Sequence, residues 1–146
     1  MDTEEAARQT RQTSAGWYIQ RLAGRLDKAM GEALADIDLT LPQLPIMMTA
    51  LERGGLTQAD YAAKFRMPAY AISRSIDSLV VQGLLERRPD QNSRRAYNIY
   101  VTDAGRDLAP KLFAIIEGVN AEILAPLTPD EAKTLLSLLS KSLNAS

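Results

Sequence analysis

The order of patterns between Leu56 and Thr102 constrains this chain most: two short helical stripes, a glycine stop, then two basic strands around a polar turn. Thr57 offers a capping hydroxyl, and Asp60, at the third helical position, takes the partner position of a capping box in a weaker form. Ala59, Ala62, Ala63 and Phe65 then read as one apolar stripe. After Met67-Pro68, a second helix carries Ala69, Ile72, Ile76 and Leu79 at helical spacing, and Gly83 supplies the left-handed stop. Leu84 to Arg88 reads as a strand and Pro89 to Asn92 as a turn. The chain returns from Arg95 to Val101 through β-branched and aromatic residues.

Two helices and a hairpin in this order are the pattern of a winged helix-turn-helix. On a wheel of 3.6 residues per turn, the face opposite Ile72, Ile76 and Leu79 carries Tyr70, Ser73, Arg74 and Asp77. A B-form major groove, about 12 Å wide, admits one helix, so a helix held by its apolar face can present the other to base edges. Arg87, Arg88, Arg94 and Arg95 surround the hairpin, where guanidinium groups can neutralise phosphates or enter a narrow minor groove.

Charge counted by region supports a polyanionic partner. The whole chain has 17 basic and 18 acidic residues, a net of −1. Between Lys64 and Arg95, however, seven basic residues face three acidic ones, so this window is +4 and the remainder is −5. The local field, not the average, is what DNA meets. Any one of these arginines alone reads as an ordinary solvated charge; four around a wing favour the functional reading.

The rest reads as long helices. Ile19, Leu22, Leu26, Met30, Ala33 and Ile37 stripe a first helix, and Leu44, Met47, Met48 and Leu51 a second that stops at Gly54-Gly55. Pro45 is expected to delay or bend that second helix. Leu112, Ile115, Ile116, Val119 and Ile123 mark a fifth, with Pro110 bending its first half. Thr128-Pro129-Asp130-Glu131 is a full capping box with proline at the first helical position. It opens a sixth helix carrying Leu135, Leu136, Leu138, Leu139 and Leu143. A terminal helix apolar on more than one side needs more than one partner, and a second copy of the chain is a natural one.

Composition narrows the function. The 146 residues suit one domain, and 46% hydrophobic content is ample for a core. With no cysteine and no histidine, disulfides, cysteine-based sensing and the common zinc sites are excluded, and no metal or cofactor is expected. Catalysis would need a Ser-Lys, Tyr-Lys or paired-carboxylate arrangement; Asp36 and Asp38 read as solvated acids at a helix end, and no phosphate-binding glycine loop appears. The longest uncharged run, Leu39 to Leu51, has 13 residues against the roughly 20 of a membrane helix, and no signal peptide opens the chain. A cytoplasmic, non-membrane protein is the expectation. The Asn144-Ala145-Ser146 triplet is read as a chance match to a glycosylation acceptor.

From about Ala15 to Leu143 the chain resembles the MarR family of transcriptional regulators. Leu39-Thr40-Leu41-Pro42-Gln43 resembles the start of that family's second helix. Ile72-Ser73-Arg74-Ser75-Ile76-Asp77-Ser78-Leu79 with Gly83-Leu84 resembles its recognition helix. Arg87-Arg88-Pro89-Asp90 through Arg95, then Val101-Thr102 and Ala104-Gly105-Arg106, resembles the wing and the following helix. Leu127 to Glu131 resembles the start of the last helix. The wing departs from the usual Asp-x-Arg: Ser93 stands at the aspartate position, while Arg95 remains. Pro68, Ala69, Tyr70 and Ala71 replace polar residues at the start of the recognition helix, which shifts readout toward thymine methyls and DNA shape.

The resemblance implies a mainly α fold with a small β-wing and a single domain over 1–146. Its winged helix-turn-helix lies at 40–102, and helical regions 13–38 and 103–146 join two copies. It implies a homodimeric repressor on a near-palindromic operator in double-stranded DNA. Arg94 and Arg95 are the expected wing contacts, Arg95 the better match to the family arginine, with Arg87 and Arg88 beside them. Ser73 and Arg74 would meet the major groove, Tyr70 would make apolar contact, and Asp77 would orient Arg74. Thr57 and Gln58 would offer backbone N–H groups to a phosphate. Leu135, Leu136, Leu139 and Leu143 would lie in the dimer interface. The family also implies a small aromatic acid as effector; Trp17, Tyr18, Arg21, Met47 and Met48 could stack and pair with it, or could simply pack the core. The alternative is a winged helix used for protein contact, which Tyr70 and the alanine-rich helix start would suit and which the +4 window opposes.

Overall fold

In the computed structural model, which describes residues 1–144, the caps and stripes give these elements in chain order: α1 (Thr3–Gln12), α2 (Ala15–Ala35), α3 (Gln43–Glu52), β1 (Leu56–Thr57), α4 (Gln58–Phe65), α5 (Ala69–Val81), β2 (Leu85–Pro89), β3 (Tyr97–Val101), α6 (Asp103–Leu124) and α7 (Pro129–Asn144). They form two compact units, Gly31–Ile115 and Met1–Met30 with Ile116–Ser146, and α2 and α6 each run through both. The fold is mainly α with a small β-wing. Ala145 and Ser146, the end of the 103–146 region and of the Asn144 triplet, lie outside the described residues.

The winged unit holds most of the core. Leu34, Ile46, Met47, Ile72, Ile76, Leu79, Leu85, Ile99 and Leu112 are all essentially without exposed surface. Gly83, at φ 77°, ends α5 as its pattern predicted: its N–H donates to Val80 O at 2.9 Å and the Leu84 N–H to Leu79 O at 3.0 Å. Leu84 then leads straight into the sheet. Thr57 and Asp60 form the capping box on α4, with Thr57 N–H to Asp60 Oδ2 at 2.9 Å and Asp60 N–H to Thr57 Oγ1 at 3.2 Å. Pro45 sits at the third position of α3, where no intrahelical N–H bond is needed, so the helix starts at Gln43 without delay.

Several elements differ from the sequence expectation. The polar segment before Ala15 is a helix, α1, capped by Asp2, whose carboxylate accepts from Glu5 N–H at 2.7 Å. It has no buried residue, so no apolar stripe announced it. A third strand, β1, pairs with β3, giving an antiparallel sheet in the order β1-β3-β2. β2 ends at Pro89 and β3 begins at Tyr97, so the wing loop is longer than the four-residue turn read from Pro89 to Asn92. In α4 the inward residue is Tyr61, fully buried, while Ala59 and Ala63 face solvent. A bulky ring filled the space that the alanine spacing had suggested.

The helical unit is thinly cored. Met30 and Val119 are its buried hydrophobics among the described residues, whereas Trp17, Tyr18, Ile19, Leu22, Leu127, Leu136, Leu138, Leu139 and Leu143 are exposed. Thr128 and Glu131 form the expected capping box on α7, at 2.9 and 3.2 Å, with Pro129 at its first position.

Candidate nucleic-acid interface

The recognition face is built by burying one side of α5. Ile72, Ile76 and Leu79 are sealed in the core, which leaves Tyr70, 76% exposed, with Arg74 and Asp77 outward and Ser73 half-buried. No side chain caps α5: Pro68 precedes it in extended conformation. Arg66, in the turn between α4 and α5, is a non-glycine residue at φ 51°.

The four arginines near the hairpin divide into two kinds. Arg87 reaches across the unit: its Nε donates to Gln58 Oε1 at 2.9 Å on α4, and its Nη2 pairs with Asp77 on α5. Arg88 Nε donates to Glu86 Oε1 at 2.7 Å, and its guanidinium lies 4.2 Å from the Tyr100 ring centroid. Both are committed to neighbours: Arg87 ties the hairpin to α4 and α5, and Arg88 pairs within the hairpin. Arg94 and Arg95, in the wing loop, are exposed and have no carboxylate partner among the described residues; the Arg95 N–H donates to Ser93 Oγ at 3.4 Å. Ser93 thus leaves the wing cations unneutralised.

Two expected roles are corrected by this geometry. Asp77 pairs with Arg87 rather than orienting Arg74, because β2 brings the Arg87 guanidinium to it. The Thr57 N–H and hydroxyl are both used by the capping box, and the Gln58 side chain holds Arg87, so only the Gln58 backbone N–H remains of the proposed phosphate pair.

Three features went unread in the sequence. Gln43 is buried and bonded to both Ser78 and Gln82; the Thr40-x-x-Gln43 capping-box spacing was the signal available. The Tyr61 hydroxyl is buried with no partner among the described residues, and burial pushes its phenol up to about 12. Gly105 packs so closely that a Cβ there would lie 2.4 Å from the Leu84 carbonyl oxygen.

The proposed effector residues separate. In the helical unit, Trp17, Tyr18 and Arg21 line an open recess with Arg11, Leu22 and Arg25, and the Arg11 and Arg21 guanidiniums lie 5.9 and 5.8 Å from the Trp17 ring centroid. Met47 has no exposed surface, sealed in the winged core, and Met48 is half-buried. Met47 is therefore closed to a ligand in this conformation. On α7, Leu136, Leu139 and Leu143 are exposed and Leu135 is half-buried. Among the described residues no His, Cys, Asp and Glu cluster could hold a metal, and no helix is long and apolar enough to cross a membrane.

Two short helices joined by a left-handed turn and followed by an arginine-tipped hairpin define a winged helix-turn-helix protein. A model of the MarR family matches residues 37–96. The multiple antibiotic resistance protein MarR of Escherichia coli is 26% identical over 129 residues, 88% of this chain and 90% of that protein. The HTH-type transcriptional repressor Rv2887 of Mycobacterium tuberculosis is 25% identical over 126 residues, 86% of this chain and 91% of that one. A crystal structure of a cysteine-to-serine mutant of E. coli MarR complexed with operator DNA has a TM-score of 0.79 at 24% identity, covering 92% of this chain and 96% of that chain. The chain is thus similar to proteins of the MarR family, and the matched relatives are named as transcriptional regulators and repressors.

Proposed function

We propose that this chain is a cytoplasmic, sequence-specific DNA-binding repressor that works as a homodimer. The observation that carries the DNA reading is the division among the arginines: Arg87 and Arg88 are paired internally, while Arg74, Arg94 and Arg95 present unneutralised charge on the recognition helix and wing loop of one unit. Arg94 and Arg95 contact phosphate or the minor groove; Ser73 and Arg74 read the major groove beside Tyr70. That the similar E. coli protein was crystallised in complex with operator DNA supports the DNA reading.

The dimer reading rests on the helical unit, which exposes most of its large apolar side chains and buries few. A second copy packed on Leu135, Leu136, Leu139 and Leu143 covers that surface, and two-fold symmetry makes the operator a near-palindrome. A small aromatic acid held by Trp17, Tyr18 and Arg21 releases the DNA. Light scattering and fluorescence anisotropy on DNA selected by the protein from a random pool test this together. A dimer mass and competitor-resistant binding are expected. A monomer removes the dimer, and equal affinity for scrambled DNA moves the weight to a protein-contact module, the reading that exposed Tyr70 and Val81 favour.

A further inference from the structure

The apolar stripe of α5 holds the helix down without fixing its roll, because hydrophobic contact is not directional. Hydrogen bonds are directional, and two sets flank this stripe. On one side Asp77 is tied to Arg87. On the other, Gln43 of α3, only 6% exposed, uses both amide hydrogens: Nε2 donates to Ser78 Oγ at 2.6 Å and to Gln82 Oε1 at 3.0 Å. Its Oε1 accepts from Thr40 N–H at 2.9 Å. Gln82 Nε2 donates in turn to the carbonyl of Asp38 at 2.7 Å, and Asp38 itself holds φ 58°. The last turn of α5 is thereby bolted at two points to the corner between α2 and α3.

We propose that Gln43 and Gln82 are positioning residues that set the roll of the recognition helix and so determine DNA specificity without touching DNA. The inference rests on the DNA-binding reading above. A roll of about 20° on a helix of about 5–6 Å radius moves an outward side chain by about 2 Å. Direct readout demands placement within about 0.5 Å and 10–20°. Phosphate contacts made by flexible wing arginines tolerate such a shift. Loss of the network therefore lowers affinity for the chosen sequence while leaving non-specific affinity in place.

The test compares the wild-type chain with Gln82→Met, Gln43→Glu and the double variant Gln43→Glu/Gln82→Met. Each is titrated at one salt concentration on DNA selected by the wild type from a random pool and on its scrambled form, with circular dichroism confirming the fold. Gln82 is exposed, so its replacement leaves the core untouched even where a Gln43 variant folds poorly. The expected result is about a tenfold fall in the ratio of specific to scrambled affinity for each single variant, with scrambled affinity within about twofold of wild type. Because the two amides act as one network, the double variant falls no further than the worse single. An unchanged ratio in folded Gln82→Met, or an equal loss on both DNAs, overturns the inference. A wild type that does not discriminate overturns the DNA reading and this inference with it.

Discussion

Gly105→Ala probes the joint on which the wing is mounted. A Cβ at this position would stand 2.4 Å from the Leu84 carbonyl oxygen, 2.6 Å from Val101 Cγ1 and 3.1 Å from Met47 Cε. The first contact is to backbone, just before β2, and that carbonyl already accepts from Thr102 N–H at 3.1 Å. Val101 and Met47 are buried, so α6 must move or the strand must. Alanine gains up to about 1 kcal/mol of helix propensity over glycine. Against it stand an overpacking cost of about 1–3 kcal/mol and about 1 kcal/mol for a weakened hydrogen bond. The net is a loss of about 1–3 kcal/mol. Gly118, in the same helix, has no atom outside its own helical turn within 4 Å of the added methyl among the described residues, so Gly118→Ala should gain up to about 1 kcal/mol. Urea denaturation at fixed protein concentration reads both as shifts of the midpoint at constant slope. Opposite signs are expected; a Gly105→Ala variant as stable as wild type would refute the packing argument.

The Tyr61 hydroxyl makes no bond among the described residues, so Tyr61→Phe should leave stability at neutral pH unchanged or raise it by about 1–2 kcal/mol, measured by thermal melting. With the phenol pushed up to about 12, the neutral form supplies stability that is full below the unfolded value near 10 and is lost as pH rises toward 12. Tyr61→Phe should remove that alkaline loss, and an identical alkaline profile would contradict it. Asp77→Ala breaks a pair whose Asp side chain is 60% exposed, so stability should fall by less than about 1 kcal/mol. Freed Arg87 should steepen the salt dependence on scrambled DNA by up to about 0.9 in slope; a flatter slope would deny Arg87 access to phosphate. Hydrogen bonds from Thr128 hold the Glu131 carboxyl below its ordinary value. The stabilisation is present above the unfolded carboxylate value and is lost as pH falls through the lower folded one. The melting difference between wild type and Glu131→Gln should vanish in acid, and a difference that persists there would reject the carboxylate as its source.

What was legible in the sequence followed from periodicity and caps. The Ile72, Ile76 and Leu79 stripe, Gly83 and the two capping boxes each encode local geometry within a few residues, and each appears in place. What was not legible depends on contacts across the chain. β1 is two residues long and exists because Leu56 and Thr57 meet Ile99 and Asn98. Asp77 looked like a partner for Arg74 because they share a helix; Arg87, ten residues on, reaches it through the fold. Gln43, read only as part of the segment that opens the second helix, is a buried hub joined to residues 35 and 39 positions away. Helix α1 buries nothing, so burial patterning had nothing to register.

In the proposed complex, the free wing arginines Arg94 and Arg95 meet DNA phosphates. The measurement that tests it most directly is the slope of log affinity against log salt for wild type and for the Arg94→Ala/Arg95→Ala variant, on selected and scrambled DNA. The variant's slope should be shallower by about 1.8 on both DNAs, roughly 0.9 for each lost contact, with circular dichroism unchanged. Wild-type affinity and slope retained by the variant would contradict it.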